Sequence, residues 1–387
     1  MSGADAYELS GYAAAEGRIF FDDPLYPGQE RDNVSIAIQP EFYHEWKNGS
    51  SFTFTPFARL DSVDSERSHF DVRELNYLWL SNTVELRIGI SKVFWGVTES
   101  QHLVDIINQT DAVESIDGED KLGQPMIHLS IPREWGVVEM FVLPYFRERT
   151  FPGEKGRLRT PVVDTNQAIY ENSAKEYHID MAIRYSHTIG NWDLGLSHFR
   201  GTGREPTLRK PTPIAGADSN GGPVLIPYYE YEIINQTGLD LQLVAGRWLW
   251  KLESIYRSGQ GDKDFFAFTG GFEYTFTGVT PGGIDIGVLS EWLYDERGRN
   301  ATTAFDNDVM LGVRTSLNDA AGTEALMGII QDIDSKGRVF TFESSRRIGE
   351  RWKISLDSFF VFDSSQENPI HALRKDDNML IELSYYF

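Results

Sequence analysis

The chain has no cysteine among its 387 residues, which excludes disulfide bridges, thiolate metal sites and a cysteine nucleophile. It also lacks long hydrophobic runs: no stretch approaches the roughly 18 apolar residues of a transmembrane helix, and the mean hydropathy is −0.35. Positive charge is scarce, with 36 Lys and Arg against 58 Asp and Glu, a net charge of −22. This balance argues against nucleic-acid binding through phosphate neutralisation.

Apolar residues recur at every second position from one end of the chain to the other. Clear examples are the stretches 84–90, 177–185, 284–294 and 352–362. Such alternation is typical of β-strands with one apolar face. A soluble β-sandwich would place the apolar set inside, but the polar set here carries both signs of charge, which suits a water-filled lumen. The pattern therefore predicts an all-β transmembrane barrel.

The connections between these stretches alternate between short and long. Short ones lie at 47–50, 134–136 and 188–191, and long ones at about 97–125 and 150–175. This rhythm is that of a closed, antiparallel, up-and-down barrel. We predict a single domain over residues 1–387 with about 18 strands, an even number. Sixteen strands is the alternative, if the weakly alternating segments 323–333 and 336–346 are miscounted.

Aromatic residues concentrate near the predicted strand ends, where a membrane barrel meets the lipid headgroups. We expect a girdle near the short turns from Trp46, Trp79, Trp192, Trp248, Trp250, Trp352 and Phe387. We expect a second girdle near the long loops from Phe20, Phe94, Phe146, Tyr256, Trp292, Tyr294 and Phe362.

Residues 378–387 alternate apolar and polar positions and end on an aromatic residue. This segment resembles the closing strand of Gram-negative outer-membrane β-barrels of the porin type. The resemblance implies that Tyr385 and Phe387 form the signal that the barrel assembly machinery reads. It also implies the Gram-negative outer membrane as the location, with membrane lipid and lipopolysaccharide as partners. The alternative is the last strand of a soluble sandwich.

A second resemblance covers about 40 residues that begin at Leu86. It is to a functionally undefined family of proteobacterial outer-membrane barrels, in which an R-x-G strand ends in W-G and a loop reads I-N-P-x-D. The matching residues are Arg87, Gly89, Trp95, Gly96, Asn108 and Asp111. Two positions depart from the pattern, because Gln109 replaces the proline and Glu99 is displaced. The resemblance implies a barrel with an ordered loop after an early strand, and no particular substrate.

The stretch 97–125 is strongly acidic, with Lys121 as its one basic residue. One interpretation is a constriction loop that folds into the lumen, where carboxylates attract cations. A solvated surface loop is the alternative, and a Ca²⁺ site is a third although the D-x-D-x-D-G spacing is absent; we predict no metal site. The carboxylates are Glu99, Asp105, Asp111, Glu114, Asp117, Glu119 and Asp120.

Charged residues of the polar set are expected to line the lumen. They are Arg87, Glu139, His178, Asp180, Arg184, Glu253, Arg257, Glu273, Asp285 and Glu291.

One pair of residues raises the possibility of chemistry. His128 and Ser130 resemble the His-x-Ser pair of outer-membrane phospholipase, but they fall on the lumen parity, and no Asn partner can be assigned. We predict no catalytic residue, no enzyme activity and no cofactor.

Together these features favour a channel or porin for passive diffusion of small hydrophilic solutes. The net charge is consistent with a preference for cations, although it equally suits solubilising loops. An exporter or uptake channel for lipids or hydrophobic compounds is the alternative, and a barrel-scaffolded lipase or protease is a weaker one. The oligomeric state is left open by the sequence.

Overall fold

Eighteen antiparallel strands form one closed sheet in the computed structural model, which describes residues 6–160, 168–209 and 228–387. The sheet closes because the first and last strands pair, with Tyr12 opposite Tyr386 and Phe20 opposite Asn378. The prediction of a closed antiparallel barrel with about 18 strands is confirmed. Its strands are β1 (Ala6–Phe20), β2 (Asn33–Glu45), β3 (Ser51–Asp61), β4 (His69–Leu80), β5 (Glu85–Ser91), β6 (Gln124–Arg133), β7 (Gly136–Leu143), β9 (Asp180–Ile189), β10 (Trp192–Thr202), β13 (Ile233–Ala245), β14 (Trp248–Ser258), β15 (Phe265–Phe276), β16 (Asp285–Asp295), β17 (Asn307–Ser316), β18 (Glu324–Asp332), β19 (Arg338–Ile348), β20 (Trp352–Phe362) and β21 (Asn378–Tyr386).

Three further strands lie in the long loops and form a small separate sheet. They are β8 (Ile169–Tyr170), β11 (Thr207–Arg209) and β12 (Tyr228–Tyr231). The loops also carry 3₁₀ helices at Lys175–Tyr177, Gly298–Asn300 and Pro369–Leu373. Nowhere in the described ranges is a helix long and apolar enough to cross a membrane.

Neighbouring strands are joined at one end of the barrel by tight turns. Gly190 and Gly246 lie in two-residue turns after β9 and β13, with φ of 63° and 66°. This left-handed conformation strains any residue with a Cβ atom, so glycine suits both turns. The turns fix the register of each hairpin and keep the alternation in phase from strand to strand.

The outer surface of the barrel carries the apolar set that the alternation predicts. Ile36, Leu60, Met181 and Leu311 are 55–65% exposed in the isolated chain. Apolar faces of this extent are not stable in water, and they match the lipid-facing surface of a transmembrane barrel.

The aromatic residues follow the predicted girdles only in part. The tryptophans near the short turns, such as Trp192 and Trp352, are 38–47% exposed. The prediction is wrong for Phe20 and Phe146, which are buried, and for Phe94, whose ring packs edge-on against His102. Proximity to a strand end could not reveal which side of the wall these rings occupy.

The two weakly alternating segments are the strands β18 and β19, so the barrel has eighteen strands rather than sixteen. Alternation is weak there because inward-facing residues are apolar as well as outward-facing ones. Leu326 and Ile330 of β18 and Val339 of β19 face the lumen, while Met327 is exposed outside.

Candidate functional site

The loop between β5 and β6, residues 92–123, lies inside the barrel; we call it the inner loop. Its residues Val104 and Ile107 are fully buried, packed with inward-facing residues of the strands such as Phe141, Phe199 and Ile234. The loop thus has its own apolar core against one side of the barrel wall. The members of this cluster are Trp95, Val104, Ile106, Ile107, Met126, Phe141, Leu143, Ala182, Phe199, Ile234, Ile255, Phe265 and Ala267.

A buried carboxylate on β14 holds the beginning of the inner loop. Glu253 is fully buried, and its Oε1 accepts hydrogen bonds from the backbone N–H groups of Val97 at 2.7 Å and Thr98 at 3.0 Å. Its Oε2 accepts from the N–H of Val104 at 3.1 Å. Hydrogen bonds to a charged acceptor are the stronger kind, so Glu253 fixes the loop backbone rather than facing solutes.

Glu291 of β16 holds the neighbouring residues of the loop in the same way. It accepts hydrogen bonds from the backbone N–H groups of Glu99 and Ser100, both at 2.8 Å. The side chain of Glu99 forms ion pairs with Arg314 at 2.6 Å and Lys251 at 3.5 Å. Glu99 is therefore neutralised by the barrel wall.

Two arginines on the opposite side of the barrel hold the middle of the inner loop. Arg73 of β4 lies 2.6 Å from Asp111, and Arg59 of β3 lies 2.7 Å from Glu114. Arg59 also pairs with Glu16 of β1 at 2.8 Å. All five side chains are buried. Because removal of one partner leaves a buried charge uncompensated, such pairs strongly disfavour release of the loop.

A third anchor comes from the loop that follows β10. Arg204 donates hydrogen bonds to the carbonyl oxygen of Ile107 at 3.0 and 3.2 Å and pairs with Asp180 at 2.8 Å. Its guanidinium also lies about 5.1 Å from the ring centroids of Phe146 and Phe199. The inner loop is thus tied to β3 and β4 on one side of the barrel, to β14, β16 and β17 on the other, and to the loop that follows β10.

The structure divides the seven carboxylates of the acidic stretch into two groups. Four are engaged: Asp105 pairs with Lys121 at 3.1 Å, and Glu99, Asp111 and Glu114 pair with basic residues of the barrel strands. The other three border the space beside the loop: Asp117 and Asp120 form no ion pair among the described residues, and Glu119 pairs only with His102 of the same loop. The negative charge at this level is therefore smaller than the sequence suggests.

The carboxyl group of Asp120 has an unusual protonation equilibrium. The surrounding protein shields it from bulk water, and the neighbouring carboxylates of Asp117 and Glu114 disfavour a further negative charge; together they raise the pKa of Asp120 to about 7. Asp120 therefore changes its charge near neutral pH.

His102 bridges the loop and the wall. Burial opposes its protonation, but the carboxylates of Glu119 and Glu253 outweigh burial and raise the pKa of His102 to about 10. The imidazolium lies 2.7 Å from Glu119 and 3.6 Å from Glu253. The same contact lowers the pKa of Glu119, so this pair stays ionised at neutral pH.

Two other residues predicted to line the lumen are paired with acidic side chains outside the predicted set. Arg184 pairs with Asp240, and Arg257 lies 2.9 Å from Glu205. Paired charges of this kind stabilise the fold and contribute little to ion selectivity.

The remaining predicted residues are distributed along the barrel. His178 bonds Asp180 at 2.8 Å near the loop end of β9, and Glu273 lies 3.7 Å from Arg314. Asp285 lies at the short-turn end of β16, where it accepts a hydrogen bond from the N–H of Gly278. Arg87 lies on β5, and its buried Nε has no hydrogen-bond partner within the described residues.

His128, the histidine of the His-x-Ser pair, is engaged by neighbouring side chains. The ring of His128 stacks on Phe141 with centroids 4.1 Å apart and lies 2.9 Å from Glu139. Across the described ranges, no three His, Asp or Glu side chains are placed to hold one metal ion.

A cavity of about 1770 Å³ remains beside the inner loop. It reaches from the long loops down to Tyr12 and Gln39, which face each other on β1 and β2. Carboxylates of the inner loop border one side, and Glu343, Asp357 and Glu382 of the strands border the other.

A portion of the cavity surface is apolar, which the sequence analysis did not predict. We call this portion the apolar wall; it consists of Met310, Leu326, Ile330, Val339, Phe359 and Leu380, from β17 to β21. The sequence indicated the apolar wall only through the weak alternation of the two segments that form β18 and β19. Which of their apolar residues face the lumen became clear from the structure.

Comparisons with known proteins give similarity at the level of the fold. No family model and no curated protein matches the chain.

The solved structure of Wzi has a TM-score of 0.54 at 9% identity, and the match covers 97% of this chain and 84% of that one. Wzi is a carbohydrate-binding outer-membrane β-barrel of Escherichia coli that is involved in group 1 capsule assembly. A mutant porin of Rh. blastica has a TM-score of 0.48 at 12% identity, covering 99% and 100% of the two chains. A loop-deletion mutant of OmpT from Vibrio cholerae has a TM-score of 0.49 at 8% identity, covering both chains fully. The similarity to Wzi shows that this chain has the fold of an outer-membrane β-barrel.

Proposed function

We propose that this protein is an outer-membrane channel for passive diffusion of small hydrophilic solutes, with a preference for cations. The observation that carries the proposal is the cavity beside the inner loop. It is bordered by carboxylates that form no ion pair with a basic side chain in the described ranges, within a barrel whose outer face is apolar. In this role the barrel is inserted by the assembly machinery and is surrounded by lipid and lipopolysaccharide.

The preference for cations rests on which charges remain unpaired. Among the described residues, Asp117, Asp120, Glu343, Asp357 and Glu382 have no ion pair with a basic side chain. Two opposite charges 4 Å apart attract by about 1 kcal/mol in bulk water and about 4 kcal/mol at an effective dielectric constant of 20. A narrow space walled by protein lies between these limits, so a cation there is favoured over an anion.

One observation favours a second candidate function. The apolar wall gives the lumen a surface that could accept apolar solutes, so an uptake or export channel for hydrophobic compounds is the alternative. A lumen specialised for lipids, however, would not keep five free carboxylates beside that wall. The proposed function includes no catalytic step, because His128 pairs with Glu139 and stacks on Phe141.

The proposal is tested by single-channel recording of the purified chain in planar bilayers with a KCl gradient. We expect stepwise conductance and a reversal potential of the sign that indicates cation selectivity. Neutralising the three carboxylates of the inner loop that pair with no residue of the barrel strands should move the reversal potential toward zero. That variant carries Asp117→Asn, Glu119→Gln and Asp120→Asn.

The matched control removes three exposed charges in or next to short turns, through Glu134→Gln, Asp193→Asn and Glu350→Gln. These turns are separated from the cavity, and charges in solution are screened over about 8 Å at physiological salt. The control should therefore keep the wild-type reversal potential. Absence of conductance, or equal shifts in both variants, would contradict the proposal.

A further inference from the structure

We propose that the cavity selects organic cations with an apolar body, such as aromatic or alkyl amines. This inference rests on the proposed channel function and specifies its class of solute. It comes from the arrangement of two unlike surfaces in one cavity: the apolar wall and a pair of carboxylates set within it.

The apolar wall is a continuous surface across neighbouring strands. Met310 of β17 lies directly opposite Ile330 of β18 in the sheet register. Phe359 of β20 and Leu380 of β21 extend the surface toward the pairing strand β1. Apolar side chains gain nothing from facing water, whereas an apolar solute that covers them gains about 25 cal/mol for each Å² removed from water.

Two carboxylates lie inside this wall. Glu343 of β19 and Asp357 of β20 are directly opposite each other in the register. The same row continues to Leu326 on one side and Leu380 on the other. Directly opposed residues have Cβ atoms about 4.5–5.5 Å apart, and like charges at that spacing repel. A cationic group between them would relieve the repulsion.

No basic residue of the described ranges forms an ion pair with either carboxylate of this row. Arg314 lies beyond Leu326, but it pairs with Glu99 of the inner loop at 2.6 Å. Arg18 of β1 lies beyond Leu380 in the register, two strands from Asp357, and its positive charge acts on Asp357 only from that longer distance. Within the described ranges of the chain neither Glu343 nor Asp357 forms an ion pair, and Asp117 of the inner loop borders the same cavity.

The two surfaces together specify the shape of the solute. Its positive group is attracted to the carboxylate pair, and its apolar body covers the residues on either side. The ring of Phe359 adds a face on which a cation can rest. Anionic solutes are repelled by the carboxylates, and small hydrated cations leave the apolar wall uncovered.

The test measures block of the potassium current by three probes in planar bilayers. Benzyltrimethylammonium has both features, tetramethylammonium has the charge alone, and benzenesulfonate has the apolar ring with the opposite charge. We expect half-block by benzyltrimethylammonium at a concentration about ten-fold or more below that of the other two, which corresponds to about 1.4 kcal/mol. Equal half-block concentrations for the two cations would overturn the inference.

Variants separate the contributions of the two surfaces. Ile330→Thr and Leu380→Asn should raise the half-block concentration of benzyltrimethylammonium about three-fold or more and leave that of tetramethylammonium unchanged. Glu343→Gln with Asp357→Asn should raise both. The matched control is Ile329→Thr, because Ile329 neighbours Ile330 on β18 but has the outward parity. An equal effect of Ile329→Thr would contradict a lumen site.

A binding measurement keeps this inference distinct from the channel proposal. Calorimetric titration of the folded wild-type barrel with the same three probes requires neither conduction nor a variant. Preferential binding of benzyltrimethylammonium without KCl conductance would refute the channel and support the site. Conductance without preferential binding or block would support the channel and refute the site.

Discussion

Arg73 and Asp111 form a buried ion pair at 2.6 Å that joins strand β4 to the middle of the inner loop. The side chain of Asp111 is fully enclosed, and that of Arg73 nearly so. Asp111 also accepts a hydrogen bond from the Thr150 hydroxyl at 2.6 Å, and Arg73 lies 3.0 Å from Asp71. An acidic loop residue that looks like a selectivity determinant in the sequence is therefore an anchor in the fold.

Loss of one partner of this pair should destabilise the protein. We expect Asp111→Asn or Arg73→Ala to cost about 3–5 kcal/mol, because a buried charge loses its compensation. The measurement is guanidinium unfolding of the lipid-reconstituted barrel, followed by tryptophan fluorescence. Asp319→Asn, which removes the exposed pair with Arg346, is the control and should cost under about 1 kcal/mol.

The double variant Arg73→Met with Asp111→Leu tests whether the pair stabilises the protein through mutual compensation of its two charges. Replacement of both charges by apolar groups of similar volume should recover much of the loss, because no unpaired charge remains. If the double variant is as unstable as the sum of the single ones, the account of the pair as a mutually compensating anchor is wrong.

The orientation of the strands predicts opposite outcomes for two arginine substitutions at similar depth. Leu311 on β17 is 55% exposed on the outer face, and Thr341 on β19 borders the cavity. Leu311→Arg should cost about 2–4 kcal/mol, because it places a charge in lipid, whereas Thr341→Arg keeps its charge in the lumen. Folded yield is read from heat-modifiable gel mobility. Similar yields for the two variants would contradict the assignment of faces.

The barrel was predictable because lipid and water impose opposite demands on successive residues. Ile381 and Leu383 alternate with Glu382 and Ser384 in β21 for that reason, and the outer face needs no partner from elsewhere in the chain. Alternation fails only where the inward residue is also apolar. In β18, Leu326 and Ile330 lie on the lumen parity. The weak alternation there therefore indicated that this part of the lumen surface is apolar.

The site was less predictable, because it depends on contacts between residues distant in sequence. An acidic stretch between β5 and β6 was visible, but nothing local shows that Glu99 meets Arg314 or that Arg204 meets Ile107. In the sequence, the inward arginines Arg59 and Arg73 are not distinguishable from the other polar residues of their strands. Only the closed register of the barrel places them around the inner loop.

Phe387 should matter more for insertion than for stability. Its side chain is 43% exposed, and its backbone N–H donates a hydrogen bond to the carbonyl oxygen of Gly11 at 3.1 Å. Phe387→Ala keeps that bond, so its effect on unfolding free energy should stay within about 0.5 kcal/mol. Pulse-chase measurement of folded barrel in cells should instead show slower assembly. Wild-type assembly kinetics would mean that the terminal aromatic residue is not read as a signal.

Cation preference should increase with pH around neutrality, because enclosure by the protein and the nearby Asp117 and Glu114 raise the pKa of Asp120 to about 7. Below that pH the carboxyl group is neutral, and above it the group adds one negative charge beside the cavity. His102 has a pKa of about 10 and Glu119 a lowered one, so both keep their charges from pH 5.5 to 8.5.

The reversal potential in a KCl gradient, recorded at steps between pH 5.5 and 8.5, measures this change. Wild-type protein should become more cation-selective with a midpoint near pH 7, and Asp120→Asn should lose that component while it resembles wild type at pH 5.5. Glu343 and Asp357 face the same cavity and are present in both proteins, so the difference between the two curves isolates Asp120. Asp193→Asn, an exposed position on β10 next to a short turn, serves as the control for removal of one charge. If wild type and Asp120→Asn have parallel curves, Asp120 does not titrate beside the permeation path.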